Sequence, residues 1–219
     1  MVFMYKLSPS TLNLFVDCPR CFWLQFNKGI KRPEGIFPSL PSGMDRILKN
    51  HFDSFMQKGL MPPELKDVKG KLFDDVDLLN KWRNNLKGIE YKDKKGNMLH
   101  GAIDNLLVHN GKFIVLDFKT RGFPLKEDTH EHYIDQLNIY NYLFRKNKYE
   151  TEDFAYLLFY HPNKVQENGD VDFNKDLVKI TINVQKAEKL FKDAIDCLEG
   201  KMPDSSEECK YCSYVENFK

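Results

Sequence analysis

Apolar positions in the first part of the chain recur every three or four residues. Ser8 followed by Pro9 reads as an N-cap with proline at the first helical position, opening a short helix to about Val16. Pro19 interrupts, and "CFWLQFNKG" resumes an amphipathic turn or two ending at Gly29. A loop with Pro33, Pro38 and Pro41 leads to "SGMDRILKNHFDSFMQKG". There Met44, Ile47/Leu48, His51/Phe52 and Phe55 keep helical spacing and Gly59 ends the run. "DDVDLLNKWRNNLKG" predicts another helix, closed by Gly88.

The period then changes to strand-like runs. "IEYKD", "MLHGAIDNLLV" and "FIVLDFK", separated by the turns "KKGN" and "HNGK", predict a three-strand antiparallel meander. "HYIDQLNIYNYLFRKN" predicts an amphipathic helix with Tyr133, Leu137, Tyr140 and Phe144 along one stripe. "FAYLLFY" and "LVKITIN" predict two further strands, and "VQKAEKLFKDAIDCLEG" a last helix stopped by Gly200 and Pro203. The order predicts an α+β fold with a mixed central sheet flanked by helices.

Composition narrows the picture. The chain has 219 residues, 42% hydrophobic and 30% charged, with a formal net charge of +1. That is enough for one good-sized core, and no Ser/Gly-rich, Pro-rich or long charged tract marks a linker, so one domain over residues 1–219 is expected. The near-neutral charge excludes a histone-like binder and leaves any nucleic-acid affinity to local patches or metal ions. "MVFMYKLSPS" lacks an apolar signal region, and no run approaches the roughly 18 apolar residues of a membrane span, so a cytoplasmic protein without a membrane partner is expected. No G-x-x-x-x-G-K-[ST] loop is present, which excludes a helicase motor within the chain.

The candidate chemistry begins with two acids inside strand-like runs, Asp104 and Asp117, with Lys119 two residues beyond the second. Asn110-Gly111 is a strong two-residue hairpin signal. It pairs His109 with Lys112, Leu106 with Val115 and Asp104 with Asp117. Opposed residues project to one face with Cβ atoms roughly 4.5–5.5 Å apart, where like charges destabilise a sheet unless they share a proton or bind a cation. Lys119 on the same face favours two ionised acids, and hard carboxylate oxygens suit Mg²⁺ or Mn²⁺.

The ordered set "GAID", "DFK" and "DQLNIY", with His51 on an upstream helix, resembles the PD-(D/E)XK nucleases, and their RecB-like branch in particular, over roughly residues 43 to 160. Ile103 stands where that motif's proline would be, and Asp117 where glutamate is commoner. The resemblance implies a restriction-endonuclease-like core over about 43–184. It implies a metal held by Asp104, Asp117, the Phe118 carbonyl and His51, with Lys119 orienting the attacking water. Gln136 and Tyr140, one helical turn apart, would position Lys119 or the scissile strand. The activity implied is metal-dependent hydrolysis of DNA, exonuclease-like on single-stranded or end-containing substrates. A helicase or a repair or recombination protein is the kind of partner it implies. A catalytically silent nucleic-acid-binding module of the same fold and an RNA-directed nuclease are the alternatives.

Five cysteines complete the inventory. Cys18 and Cys21 in "CPRC" and Cys209 and Cys212 in "CKYC" form two C-x-x-C pairs near opposite ends, whereas Cys197 sits within a helical pattern as a small hydrophobe. Four thiolates fit Zn²⁺ or an iron–sulfur cluster of the 4Fe–4S type, and spacing alone does not choose. The resemblance to CRISPR-associated RecB-like exonucleases and AddB-type nuclease domains implies the cluster, although those pair one N-terminal cysteine with three C-terminal ones. Either centre would staple the N-terminal helices to the C-terminal tail. Around "CPRC", Arg20, Lys28, Lys31 and Arg32 interleave with Phe22, Trp23 and Phe26. That pattern suits a single-strand DNA channel, and the aromatics equally suit a core.

Overall fold

The computed structural model describes residues 4–216. In chain order its elements begin with β1 (Lys6–Leu7), α1 (Pro9–Asp17), α2 (Pro19–Lys28), α3 (Ser39–Gln57), β2 (Lys71–Leu72) and α4 (Val76–Arg83). There follow β3 (Ile89–Lys92), β4 (Met98–Gly101), β5 (Asn105–His109), β6 (Lys112–Thr120) and α5 (Ile134–Lys146). The chain then forms β7 (Phe154–Val165), β8 (Val171–Thr181), α6 (Val184–Glu199) and α7 (Lys210–Glu216). Local chemistry sets many of these boundaries. The Ser8 hydroxyl accepts from the Thr11 N–H while the Thr11 hydroxyl accepts from the Ser8 N–H, a reciprocal cap that starts α1. Asp75 and Asn183 cap α4 and α6 one-sidedly, each side chain accepting a single backbone N–H. Gly29, in the left-handed region at φ 69°, ends α2.

The fold is the expected mixture of helices with mixed sheets, but there are two sheets. The larger runs β2-β5-β6-β7-β8, antiparallel except for the parallel β6–β7 pair. The smaller runs β1-β4-β3, with β1 parallel to β4. The predicted single strand over "MLHGAIDNLLV" is therefore two strands in different sheets. The ladder breaks at 102–104 because α4 captures this segment: the Ile103 N–H donates to the Trp82 carbonyl (3.2 Å) and Arg83 Nε to the Asp104 carbonyl (2.7 Å). The β7–β8 pair also runs further than predicted. Pro162, inside β7, is absorbed at a register shift between Pro162 and Lys164.

α5 is the crossover between parallel β6 and β7, and it touches both sheets as well as α6. Instead of one apolar stripe, every residue from Leu137 to Phe144 is buried. Its two interior asparagines are each held by one hydrogen bond: Asn138 Oδ1 accepts from the Asn183 N–H (2.8 Å), and Asn141 Nδ2 donates to the Leu137 carbonyl (2.9 Å), while Asn138 Nδ2 and Asn141 Oδ1 are buried without a partner. One hydrophobic cluster runs from Leu7 to Leu198, with Trp82, Phe113, Phe144 and Tyr149 packed edge to face or stacked. No helix among the described residues is long and apolar enough to cross a membrane.

Candidate active site

The β5–β6 hairpin closes through Asn110 (φ 49°) and Gly111 (φ 78°), both left-handed as a type I′ turn requires. Its register follows the prediction from His109 opposite Lys112 to Asn105 opposite Leu116. Asp104 lies one residue beyond the last pair, at the bend just before β5 begins. Its side chain replaces the missing ladder bond: Oδ2 accepts from the Phe118 N–H at 2.8 Å. Its other oxygen, Oδ1, accepts from Lys49 Nζ at 2.9 Å, and Lys49 also contacts Asp45 at 2.8 Å. On β6, Asp117 is only 2% exposed and forms an ion pair with Lys119. Lys119 Nζ donates to Gln136 Oε1 (3.0 Å) on α5, and Gln136 Nε2 donates to the Tyr140 hydroxyl (2.7 Å) one turn later. Asp117, Lys119, Gln136 and Tyr140 thus form one unbroken polar chain, with the Tyr133 ring 4.8 Å from the lysine ammonium.

Burial governs the electrostatics. It pushes the Asp117 carboxyl up to about 7; Lys119 and Lys49 pull it down, while Asp104 adds to the rise. Asp45 is raised by burial and by the Asp104 charge. Burial would lower both lysines, but the carboxylates outweigh it and hold Lys49 and Lys119 above the ordinary lysine value. Burial also lifts the Tyr140 phenol well above its usual range, so it stays protonated. The site is three carboxylates, Asp45, Asp104 and Asp117, partly offset by two lysines, with Asp117 fully buried and Asp45 at the solvent-facing edge.

The family model of the PD-(D/E)XK nuclease superfamily matches residues 6–216. The chain belongs to that superfamily. Membership points to a metal-dependent nuclease with a nucleic-acid substrate. Among solved structures, that of SSO0001 is 17% identical, covers 99% of this chain and 86% of its own, and aligns with a TM-score of 0.48. No curated protein matches the chain.

In this PD-(D/E)XK chain, His51 does not join the two acids. Its Nε2 lies 3.2 Å from Oε2 of the buried Glu64, whose other oxygen accepts from the Tyr160 hydroxyl (3.0 Å) and lies 3.6 Å from Lys175. Ligand atoms of His51, Asp104 and Asp117 do not converge as a metal-binding group among the described residues. Helix geometry explains the difference. Asp45 and Lys49 are four residues apart on one face of α3, while His51, two residues further, points about 200° round from Lys49. The same face of α3 carries Asp53, which holds Arg83 NH1 at 2.8 Å while Arg83 grips the Asp104 carbonyl. Asp104 is thus fixed by two α3 acids acting through two cations. Sequence reasoning missed Asp45, Lys49 and Arg83. The only signal was an Asp-x-x-x-Lys spacing, which ordinarily marks a surface helix pair.

The superfamily chain has a second cluster. Cys18 caps the end of α1 and the start of α2, Cys21 lies on the first turn of α2, Cys209 precedes α7, and Cys212 lies on α7. Their Sγ atoms all lie within 4.8 Å of one another, as the two C-x-x-C pairs predicted. Burial opposes ionisation of Cys18, yet bonds from the Cys21 and Ser206 backbone bring its thiol down to about 6. Cys197 stays apart, packed against the main core. Two of the predicted DNA contacts are committed here. Arg20 donates to the Pro203 carbonyl (3.2 Å) and Glu216 (2.7 Å). Arg32 pairs with Asp17, donates to Cys209 Sγ (3.3 Å) and lies over the Tyr211 ring. Lys28 stands 6.0 Å from the Trp23 ring, and Lys31 lines a groove walled by Leu24, Ile30, Pro33, Tyr211 and Val215.

Proposed function

We propose that this chain is a Mg²⁺- or Mn²⁺-dependent deoxyribonuclease of the RecB-like branch, exonuclease-like on single-stranded or end-bearing DNA. The observation that carries the reading is the polar chain from Asp117 through Lys119 and Gln136 to Tyr140, set beside Asp104. A purely structural ion pair would need none of this wiring.

The donor set fits a hard divalent cation. It is all carboxylate and carbonyl oxygen, and the Lys49 ammonium bridging Asp45 and Asp104 is a cation already seated on those oxygens. Asp104, Asp117 and the Phe118 carbonyl would hold the ion; Asp45 is joined to Asp104 through Lys49, and neither it nor His51 converges with both aspartates among the described residues. When bound, the ion supplies a water of lowered pKa and offsets charge building on the phosphodiester. Asp104 orients the Phe118 peptide by accepting its N–H. Lys119, held between Asp117 and Gln136, presents a fixed positive charge to the attacking water and to the transition state. The Tyr140 hydroxyl fixes the Gln136 amide and so the direction of the lysine.

The test incubates the full chain with end-labelled single- and double-stranded DNA, and with RNA, in Mg²⁺ or Mn²⁺. Metal-dependent shortening of DNA from an end, abolished in Asp104→Asn and Asp117→Asn, is expected. Binding without cleavage of any substrate would favour the silent module, and cleavage confined to RNA would favour the RNA-directed enzyme.

A further inference from the structure

The four-cysteine centre can be assigned by its size. Three of its sulfur pairs stand close together, Cys21 to Cys209 and Cys21 to Cys212 at 3.6 Å and Cys18 to Cys212 at 3.9 Å, and all four sulfurs lie within 4.8 Å of one another. Thiolates sharing one tetrahedral zinc at about 2.3 Å stand at the corners of a tetrahedron with edges of about 3.8 Å. In a four-iron, four-sulfur cubane each thiolate binds a different iron at a separate corner of the cube, which spreads the sulfurs to about 6 Å. The observed spacings match a single ion and are too short for the cubane.

The backbone holds those spacings. The Cys18 N–H donates to the Leu14 carbonyl (2.9 Å), and the Cys18 carbonyl accepts from the Phe22 N–H (3.1 Å). On the other half-site, the Cys209 N–H donates to the Ser206 carbonyl (3.1 Å), and the Cys209 carbonyl accepts from the Ser213 N–H (3.0 Å). The Ser206 hydroxyl donates to the Asp17 carbonyl (2.6 Å), tying the two half-sites together. Widening the site would strain these bonds. Four thiolates around a dication leave two negative charges, and Arg32, donating to Cys209 Sγ at 3.3 Å while also paired with Asp17, offsets part of them.

We propose that Cys18, Cys21, Cys209 and Cys212 bind a single zinc ion, not an iron–sulfur cluster, with Arg32 as its outer-sphere partner. Zinc has no accessible redox step, so the staple is insensitive to electron transfer, unlike a cluster.

The test is independent of nuclease activity. Full chain is purified without oxygen from cells supplied with both metals, then measured by elemental analysis, sulfide assay and visible spectrum. About one zinc per chain in colourless protein is expected, released as a thiol-binding mercurial titrates the cysteines. Protein from cobalt-grown cells should show the visible bands of a tetrahedral tetrathiolate. Brown protein with about four iron and four sulfide per chain overturns the assignment, as does metal-free protein whose four thiols are alkylated without unfolding. Arg32→Gln should retain zinc but lose it to a chelator roughly tenfold faster, as removal of an outer-sphere partner does. Asp17→Asn, which removes the charge of the Arg32–Asp17 pair and spares the bond to sulfur, should not. Equal loss rates in Arg32→Gln and the unaltered protein would overturn the part given to Arg32.

Discussion

Asp117 shows how a single residue can carry opposite signs for folding and for chemistry. Its carboxyl ionises near 4 in the unfolded chain but is pushed up to about 7 in the fold, chiefly by burial. Between those values the metal-free folded state binds more protons than the unfolded state, so this group's contribution to stability falls as pH rises from about 4 to about 7. Asp117→Asn removes the titration and should flatten that part of the stability profile, as read by urea denaturation at several pH values in chelator. A divalent ion needs the ionised form, so Mn²⁺ affinity should increase with pH up to about 7 and then level off, with proton uptake by buffer measurable by calorimetry below that point. Lys119→Met removes the main charge that draws Asp117 down. Mn²⁺ binding should therefore move to higher pH, while cleavage falls by about 10²-fold or more even at saturating metal. Placing Asp117 and Lys119 on one face of β6 needed only strand alternation, a local rule, whereas Gln136 and Tyr140 were pointed to by the family resemblance. Asp45, Lys49 and Arg83 were not legible, since what ties them to the site is contact with Asp104, far along the chain.

At the scale of elements, the break between β4 and β5 is the departure that matters for the site. The run "HGAIDNLLV" contains no proline and only one polar pair, Asp104-Asn105, between apolar residues, so it reads as one strand and does not announce a change of sheet. The change is imposed by α4, which takes the hydrogen bonds of Ile103 and Asp104. Likewise, α5 shows an apolar stripe in the sequence but lies between two sheets, and its two buried asparagines are each half satisfied, Asn138 Oδ1 by the Asn183 N–H and Asn141 Nδ2 by the Leu137 carbonyl. Gly101, the last residue of β4, lets these pieces meet. A Cβ there would stand 2.8 Å from Cε1 of the buried Tyr140 ring and 3.2 Å from Leu143. Gly101→Ala should therefore cost about 1–3 kcal/mol, as overpacking does, measured as a lowered urea midpoint. Because the displaced ring carries the hydroxyl bonded to Gln136, cleavage should fall further than the folded fraction does.

For the molecule as a whole, the two C-x-x-C pairs gather residues separated by 188 positions between Cys21 and Cys209. Their pairing was legible because isolated thiol pairs of that spacing have few other uses; which centre they hold was not, since it depends on distances that only the fold sets. Closing so long a loop with a covalent link is worth about 4–5 kcal/mol in the chain-entropy treatment, and a metal staple acts in the same way. Stripping the metal with a chelator and thiol reductant should lower the melting temperature on the order of 10 °C, by the usual ratio of stability to melting entropy for a chain of this size. Asp104→Asn at the acidic site should leave the metal-stripping effect unchanged, since the two sites share no residue.

The same separation sets a timetable for biosynthesis. At ~5–20 residues per second, a ribosome needs roughly 10–40 s to pass from the first pair to the second. Throughout that interval Cys18 and Cys21 stand as half a ligand set, open to oxidation and to competing ions. A nascent chain arrested before Cys209 should expose both thiols to maleimide, and a chain released with Cys209 and Cys212 should protect them. Equal labelling in the two would mean that the N-terminal pair is shielded without its distant partners.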